Sequence, residues 1–189
     1  MELTAYHGTI SKHERSIKEK GLDPEATFHR KDHWLGQGVY FFDDKEKALW
    51  WAKSLLRKNP ACRALVYCAQ IAATDEDVLD LTDKVQVDKF YKESRDFAKQ
   101  NWSNGKGEYP VFSQDEFRAV FFDYYKMVHN ISVIIAMFSK EYAGYTARIP
   151  PEEIGLHKRL VDLTQIFYHE KQICVSKKDV IRHIAKEEF

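Results

Sequence analysis

Short apolar runs, separated by charged and glycine-containing segments, occupy the first third of the chain and return near its C-terminus. Apolar runs of this length are typical of β-strands. We predict strands over residues 3–7, 38–42, 63–71 and 172–176. In the second strand Tyr40 and Phe42 alternate with Val39 and Phe41, so each pair should share one face of a sheet.

Helices are indicated by capping patterns. Ser11 followed by Glu14 forms a capping-box pattern and Gly21 can end a helix in the left-handed conformation, which predicts a helix over residues 12–20. The same pattern predicts three more helices: Asp43 with Glu46 before residues 48–57, Ser113 with Glu116 before a long helix, and Ser176 with Asp179 before a last one.

The long helix is predicted from apolar residues at spacings of three and four, which describe one apolar face. These residues are Phe117, Val120, Phe121, Tyr124, Val128, Ile131, Ile135, Phe138 and Tyr142. Strands and helices alternate before and after this region, so we expect an α+β fold with a largely helical insertion at about residues 75–163.

The length of 189 residues suits one domain, and we treat residues 1–189 as such. Apolar residues make up 44% and charged residues 31%, which excludes a disordered composition. The 29 basic residues balance the 29 acidic ones, so no global positive charge indicates a nucleic-acid partner. A local basic patch remains open.

The chain shows neither a secretion signal nor a stretch of the roughly 20 apolar residues that a membrane span needs. Its three cysteines lack CxxC spacing, which fits a reduced, cytoplasmic protein without a membrane partner. His29, Asp32 and His33 lie close together, but no fourth ligand accompanies them, so we expect no metal site.

Two motifs suggest chemistry. The first strand ends in Tyr6-His7-Gly8-Thr9, where glycine would let the backbone approach a ligand beside the imidazole. In Leu35-Gly36-Gln37-Gly38-Val39-Tyr40, two glycines permit a tight turn into a strand, and Tyr40 could stack on a planar ring. Each motif alone also fits an ordinary structural histidine or a plain turn and core strand.

In this order, the motifs resemble the ADP-ribosyltransferase superfamily, in its poly(ADP-ribose)-polymerase-like and diphtheria-toxin-like branch. The resemblance implies a split β-structure of two small sheets that grips NAD, the co-substrate, in a bent conformation. It implies that His7 holds the ribose and nicotinamide amide and that Tyr40 stacks on the nicotinamide. The candidate NAD-binding residues are His7, Gly8, Thr9, Arg30, Gly38 and Tyr40.

The segment His169-Glu170-Lys171-Gln172 resembles the last motif of this family, in which a glutamate opens a strand. The catalytic position falls on Gln172, which departs from that pattern. A bacterial group of small proteins that the chain also resembles has glutamine there. Cleavage of NAD develops positive charge on the ribose, which a carboxylate stabilises better than an amide. Glu170, on the same face, could supply that charge or deprotonate the acceptor, so the catalytic candidates are His7, Tyr40, Glu170 and Gln172.

The resemblance implies a mono-ADP-ribosyltransferase that modifies a macromolecule, whether protein, RNA or DNA, and releases nicotinamide. By analogy it could be the toxin of a toxin–antitoxin or phage-defence system, with an antitoxin as partner. Two alternatives stay open: a module that binds NAD or ADP-ribose without turnover, and an NAD glycohydrolase that transfers to water.

Overall fold

Seven strands and four α-helices are formed by the residues that the computed structural model describes, which are 1–27, 33–102, 114–139, 152 and 169–189. The strands are β1 (Glu2–Ile10), β2 (Val39–Phe42), β3 (Ala64–Ala72), β4 (Val78–Asp80), β5 (Val133–Ser139), β6 (His169–Val175) and β7 (Ile181–Lys186). The helices are α1 (Glu14–Lys20), α2 (Lys45–Leu55), α3 (Lys84–Trp102) and α4 (Gln114–His129). This confirms the mixed α+β class. No helix within these described ranges has the length and apolar character needed to cross a bilayer.

The strands form one sheet in the order β4-β5-β6-β2-β1-β3-β7, in which β4 and β5 are parallel and the other neighbours antiparallel. Its halves, β4-β5-β6-β2 and β1-β3-β7, join at a single pair, Tyr6 opposite Phe42. By contrast, β1 and β3 pair along their whole length. The expectation of two separate small sheets is therefore wrong, although the junction between the halves is narrow.

The two faces of the sheet carry different cores. Because paired residues share a face, Tyr40, Phe42, Gln172 and Cys174 lie on one side. There α2 packs over the β1-β3 half, while α3 and α4 pack over the other half. On the opposite side, a continuous apolar cluster centred on the fully buried Phe41 spans both halves.

The predicted long helix ends early. The helix α4 stops at His129, and the residues that were expected to continue it form β5 instead. Asn130 takes the left-handed conformation with φ 57°, and the Ile131 amide donates to the Lys126 carbonyl at 3.0 Å, which closes the helix. Both β4 and β5 lie in the region expected to be largely helical, so that description is wrong in part. The predicted end at Tyr142 lies outside the described residues.

The predicted C-terminal helix is also wrong. A short 3₁₀ turn, Lys178–Val180, leads directly into β7, whose Ile181 is 9% exposed and joins the core. Ser176 does not cap a helix, because its hydroxyl donates to the Ile131 carbonyl at 3.0 Å. Val180 and Ile181 are both buried in the core. Burial of these two side chains stabilises the chain more than a local capping pattern, which contributes about 1 kcal/mol.

The other helix ends agree in part. Gly21 ends α1 with a positive φ of 73°, as predicted, although its ψ of −168° differs from that of the left-handed helical conformation. Ser11 is not a cap, since its hydroxyl accepts from the Arg63 amide at 3.0 Å. The cap of α2 falls one residue later than predicted, where Asp44 accepts from the Glu46 amide at 2.7 Å. The predicted cap at Ser113 lies outside the described residues.

Candidate active site

The three motif segments lie on three adjacent strands. Gln172 on β6 pairs with Phe42 on β2, and Phe42 pairs with Tyr6 on β1. Segments far apart in the chain are therefore neighbours across the middle of the sheet, at the junction between its halves. The arrangement places polar side chains where two strands stop pairing with each other.

His7 lies just past the last hydrogen-bonded pair between β1 and β2. Its Nδ1 is 2.8 Å from the Tyr40 carbonyl oxygen, which can only accept, so Nδ1 carries the proton and Nε2 is left as an acceptor. The ring meets Phe41 edge-on at 5.8 Å between centroids. Burial lowers the pKa of His7 below 6.5, so the imidazole is neutral near pH 7.

The register assigns the side chain of His7 to the Phe41 side, whereas Tyr40 and Gln172 belong to the opposite face. The bond from Nδ1 to the Tyr40 carbonyl nevertheless holds the imidazole beside β2, beyond the point where β1 and β2 pair. His7 is thus bonded to the backbone of Tyr40, but the register puts the His7 and Tyr40 side chains on opposite sides of the sheet.

Tyr40 is held by its hydroxyl. It accepts from the Leu35 amide at 2.8 Å and donates to the Gly36 carbonyl at 2.7 Å, so both bonds fall on the turn that precedes β2. Burial raises the pKa of Tyr40 well above its usual 10.0, so the phenol stays protonated. The ring lies 5.5 Å from that of His33.

Glu170 and Gln172 form a polar pair on β6. The Gln172 Nε2 donates to Glu170 Oε1 at 2.7 Å, and Glu170 is only 3% exposed. Their partners on β5 are the apolar residues Phe138 and Ala136. Because the amide nitrogen points to the carboxylate, the Gln172 carbonyl oxygen is turned away from it as an acceptor.

Two motif glycines are needed for packing. A Cβ on Gly8 would lie 2.0 Å from the Ala48 carbonyl oxygen of α2, and one on Gly38 would lie 2.6 Å from Cys174 Sγ. The close approach predicted for Gly8 is therefore made by a helix of the protein itself. Thr9 follows with 5% exposure. Arg30, and also His29 and Asp32, for which no metal site was expected, lie outside the described residues.

Sequence reasoning missed Asp123 and Lys126 on α4. Both contact Gln37 in the turn before Tyr40, and Lys126 is 8% exposed. A charged pair three residues apart on a helix is usually solvated, so the sequence carries no signal that Lys126 is buried here.

Part of the chain is similar in sequence to an archaeal protein. No family model matches the chain, and no solved structure matches it. It is 31% identical over 98 residues to an uncharacterised protein of the archaeon Methanocaldococcus jannaschii. The match covers 49% of this chain and 44% of that protein, so the chain spans less than half the length of its relative.

Proposed function

We propose that this protein is an NAD-dependent mono-ADP-ribosyltransferase of the ADP-ribosyltransferase fold, which transfers ADP-ribose to a macromolecule and releases nicotinamide. The observation that carries the proposal is the adjacency of β6, β2 and β1, three strands from distant parts of the chain that carry the Glu170–Gln172 pair, Tyr40 and His7. The bond from His7 Nδ1 to the Tyr40 carbonyl links the first and second motifs at the edge of this junction. These are the residues that the sequence motifs single out, and the narrow junction supports a site between two half-sheets.

His7 is suited to hold the ribose. The Tyr40 carbonyl fixes its Nδ1, and the neutral Nε2 can accept a hydrogen bond from a ribose hydroxyl. Tyr40 would supply a flat aromatic ring on which nicotinamide could stack, and the bonds of its hydroxyl to the turn would hold that ring in place. Neither residue needs to change its protonation state near neutral pH.

The Glu170–Gln172 pair would serve the transition state. With its amide nitrogen bonded to Glu170, Gln172 presents its carbonyl oxygen to a ribose hydroxyl, which holds the sugar in a reactive geometry. The Glu170 carboxylate supplies the negative charge that the amide lacks, against the cationic ribose that forms as the bond to nicotinamide breaks. The departing electron pair neutralises the nicotinamide ring. The acceptor then bonds to the ribose carbon and gives up its proton to the Glu170 carboxylate.

Restoring a glutamate at position 172 should not raise activity. In Gln172→Glu two carboxylates would face each other at hydrogen-bond distance, so their like charges would repel unless they share a proton. We expect nicotinamide release by this variant to be lower than that of the wild type and to recover toward low pH. A variant more active than the wild type at pH 7 would contradict the assigned geometry.

The decisive experiment incubates the protein with NAD labelled in its adenylate, with and without cell lysate. We expect nicotinamide release together with label on a macromolecule. Glu170→Gln should lower release by about 100-fold, a typical loss for one electrostatic group. The control Glu19→Gln removes an exposed α1 carboxylate paired with Arg15 and should leave release unchanged.

The alternatives give other outcomes. Release without label would identify an NAD glycohydrolase, and saturable binding without release would identify a binding module, which the glutamine at position 172 favours. A wild-type protein that does not bind NAD would overturn all three. If the protein is a toxin with an antitoxin partner, its expression should arrest bacterial growth, and Glu170→Gln should not.

A further inference from the structure

The turn before Tyr40 is hydrogen-bonded to helix α4, which has no role in the proposed reaction. The Gln37 amide donates to Asp123 Oδ1 at 2.6 Å, and the Gln37 carbonyl accepts from Lys126 Nζ. Lys126 Nζ is also 2.9 Å from Asp123 Oδ1 and the lysine is 8% exposed. Both backbone polar groups of Gln37 are therefore bonded to one ion pair, in which Lys126 is buried and Asp123 is partly exposed.

Gly36 brings this ion pair directly against the turn. Its φ of 72° favours glycine, and a Cβ there would lie 2.3 Å from Asp123 Oδ1 and 2.8 Å from Lys126 Nζ. From the other side, the Tyr40 hydroxyl bonds to the backbone of Leu35 and Gly36. The turn is thus fixed between α4 and the phenol.

We propose that Asp123 and Lys126 are positioning residues, which set the place of the Tyr40 ring by fixing the Leu35–Gln37 backbone. The inference rests on the proposed function, because it assigns the ring to nicotinamide. A partly buried ion pair of this kind contributes little net stability compared with apolar residues of similar size, whereas its hydrogen bonds have strict directions. Its effect is therefore on the geometry of the turn.

The test uses the double variant Asp123→Leu/Lys126→Met, which removes both charges and leaves neither unpaired in the interior. Its matched control is Lys84→Met/Asp88→Leu, an exposed ion pair on α3. We expect the double variant to stay folded and its KM for NAD to rise about tenfold, as for the loss of one aromatic stack. The control should keep the wild-type KM.

A mutant cycle with Tyr40→Phe distinguishes positioning from general destabilisation. Tyr40→Phe cuts the link between ring and turn, so adding the double variant should change KM by less than about twofold further. Fully additive effects on KM, or an unchanged KM in the double variant, would overturn the inference.

Amide hydrogen exchange separates this inference from the proposed function. The Gln37 amide should exchange faster in the double variant than in the wild type or the control, whether or not NAD is a substrate. If the wild type does not bind NAD, the proposed function is wrong, and faster exchange at Gln37 then shows only that Asp123 and Lys126 fix the turn. If exchange at Gln37 is unchanged in the double variant, the positioning role of Asp123 and Lys126 is wrong even in an active enzyme.

Discussion

At the scale of single residues, the structure shows why particular side chains, or their absence, are required. Gly8 has no Cβ because the Ala48 carbonyl of α2 occupies that space, and Cys174 lies fully buried beneath the turn, where burial raises its pKa to about 11. The motif His-Gly can be found in a sequence, but the reason for the glycine is visible only in the packed structure.

Gly8→Ala should therefore destabilise the protein strongly. The added methyl would lie 2.0 Å from backbone, which cannot move aside cheaply, and we expect a loss of about 3 kcal/mol. Gly21→Ala is the comparison, because at φ 73° and ψ −168° it adds backbone strain alone, of about 1 to 2 kcal/mol, and the nearest atom to the new Cβ is the flexible end of Ile184 at 3.4 Å. Urea unfolding measures both, and equal losses would contradict this packing.

His7 should make stability depend on pH. Its folded pKa is below 6.5, so its contribution is fully present above 6.5 and is lost as the pH falls through that value toward the folded pKa. His7→Gln keeps a donor but does not titrate, so its free energy of unfolding should fall less between about pH 7.5 and about pH 5.5. The control His169→Gln, at an exposed side chain, should show the same pH dependence of the free energy of unfolding as the wild type. If His7→Gln also shows the wild-type pH dependence, burial of His7 does not contribute to it.

At the scale of elements, local signals competed with burial. The strand β5 is apolar on both faces, and Val133, Ile134, Ile135 and Ala136 are all buried. A run that is apolar at every position satisfies the helical spacing as well as the strand spacing, so periodicity could not distinguish them. The boundary between α4 and β5 lies at Asn130, whose left-handed backbone conformation ends the helix.

Substitutions at Asn130 should test this helix end. Asn130→Ala should lose about 1 kcal/mol because alanine tolerates φ 57° poorly, whereas Asn130→Gly should match or exceed the wild type. The exposed bond from Lys177 to the asparagine side chain is lost in both variants and contributes little. Thermal unfolding compares the pair, and an alanine variant as stable as the glycine variant would argue against a left-handed stop.

At the scale of the whole molecule, the narrow β1–β2 junction raises the question of whether the half-sheets fold separately. The apolar cluster around Phe41 crosses the junction and contains residues of both halves, among them Ala5 and Ile173. A shared core couples elements that have few backbone bonds between them, so we expect one cooperative unit.

Phe41→Ala should lower the free energy of unfolding by about 3 to 5 kcal/mol while keeping a single transition. Circular dichroism and tryptophan fluorescence should report the same midpoint, and amide protection in β3 and β5 should fall together. Phe189→Ala, at a side chain 66% exposed, should change stability by no more than about 0.5 kcal/mol. Two separate transitions would show that the halves are independent.

Much of the fold near the N-terminus, and β6 near the C-terminus, could be predicted from the sequence, because β1, β2, β3 and β6 are short apolar runs and Gly21 marks a helix end. The strands β4, β5 and β7 were missed. In β7 only Ile181 and the half-buried Ile184 face the core, which is too little alternation for a strand to be recognised from pattern alone.

The candidate site divides in the same way. Its residue types and their order along the chain were available from the sequence, since His7, Tyr40, Glu170 and Gln172 stand in recognisable local patterns. Their adjacency, the bond from His7 to the Tyr40 carbonyl, and the hold of Asp123 and Lys126 on the turn depend on the order of strands and on helix packing. Local patterns record what each segment prefers, whereas long-range burial selects the neighbours of each segment, and that selection was made by the tertiary structure.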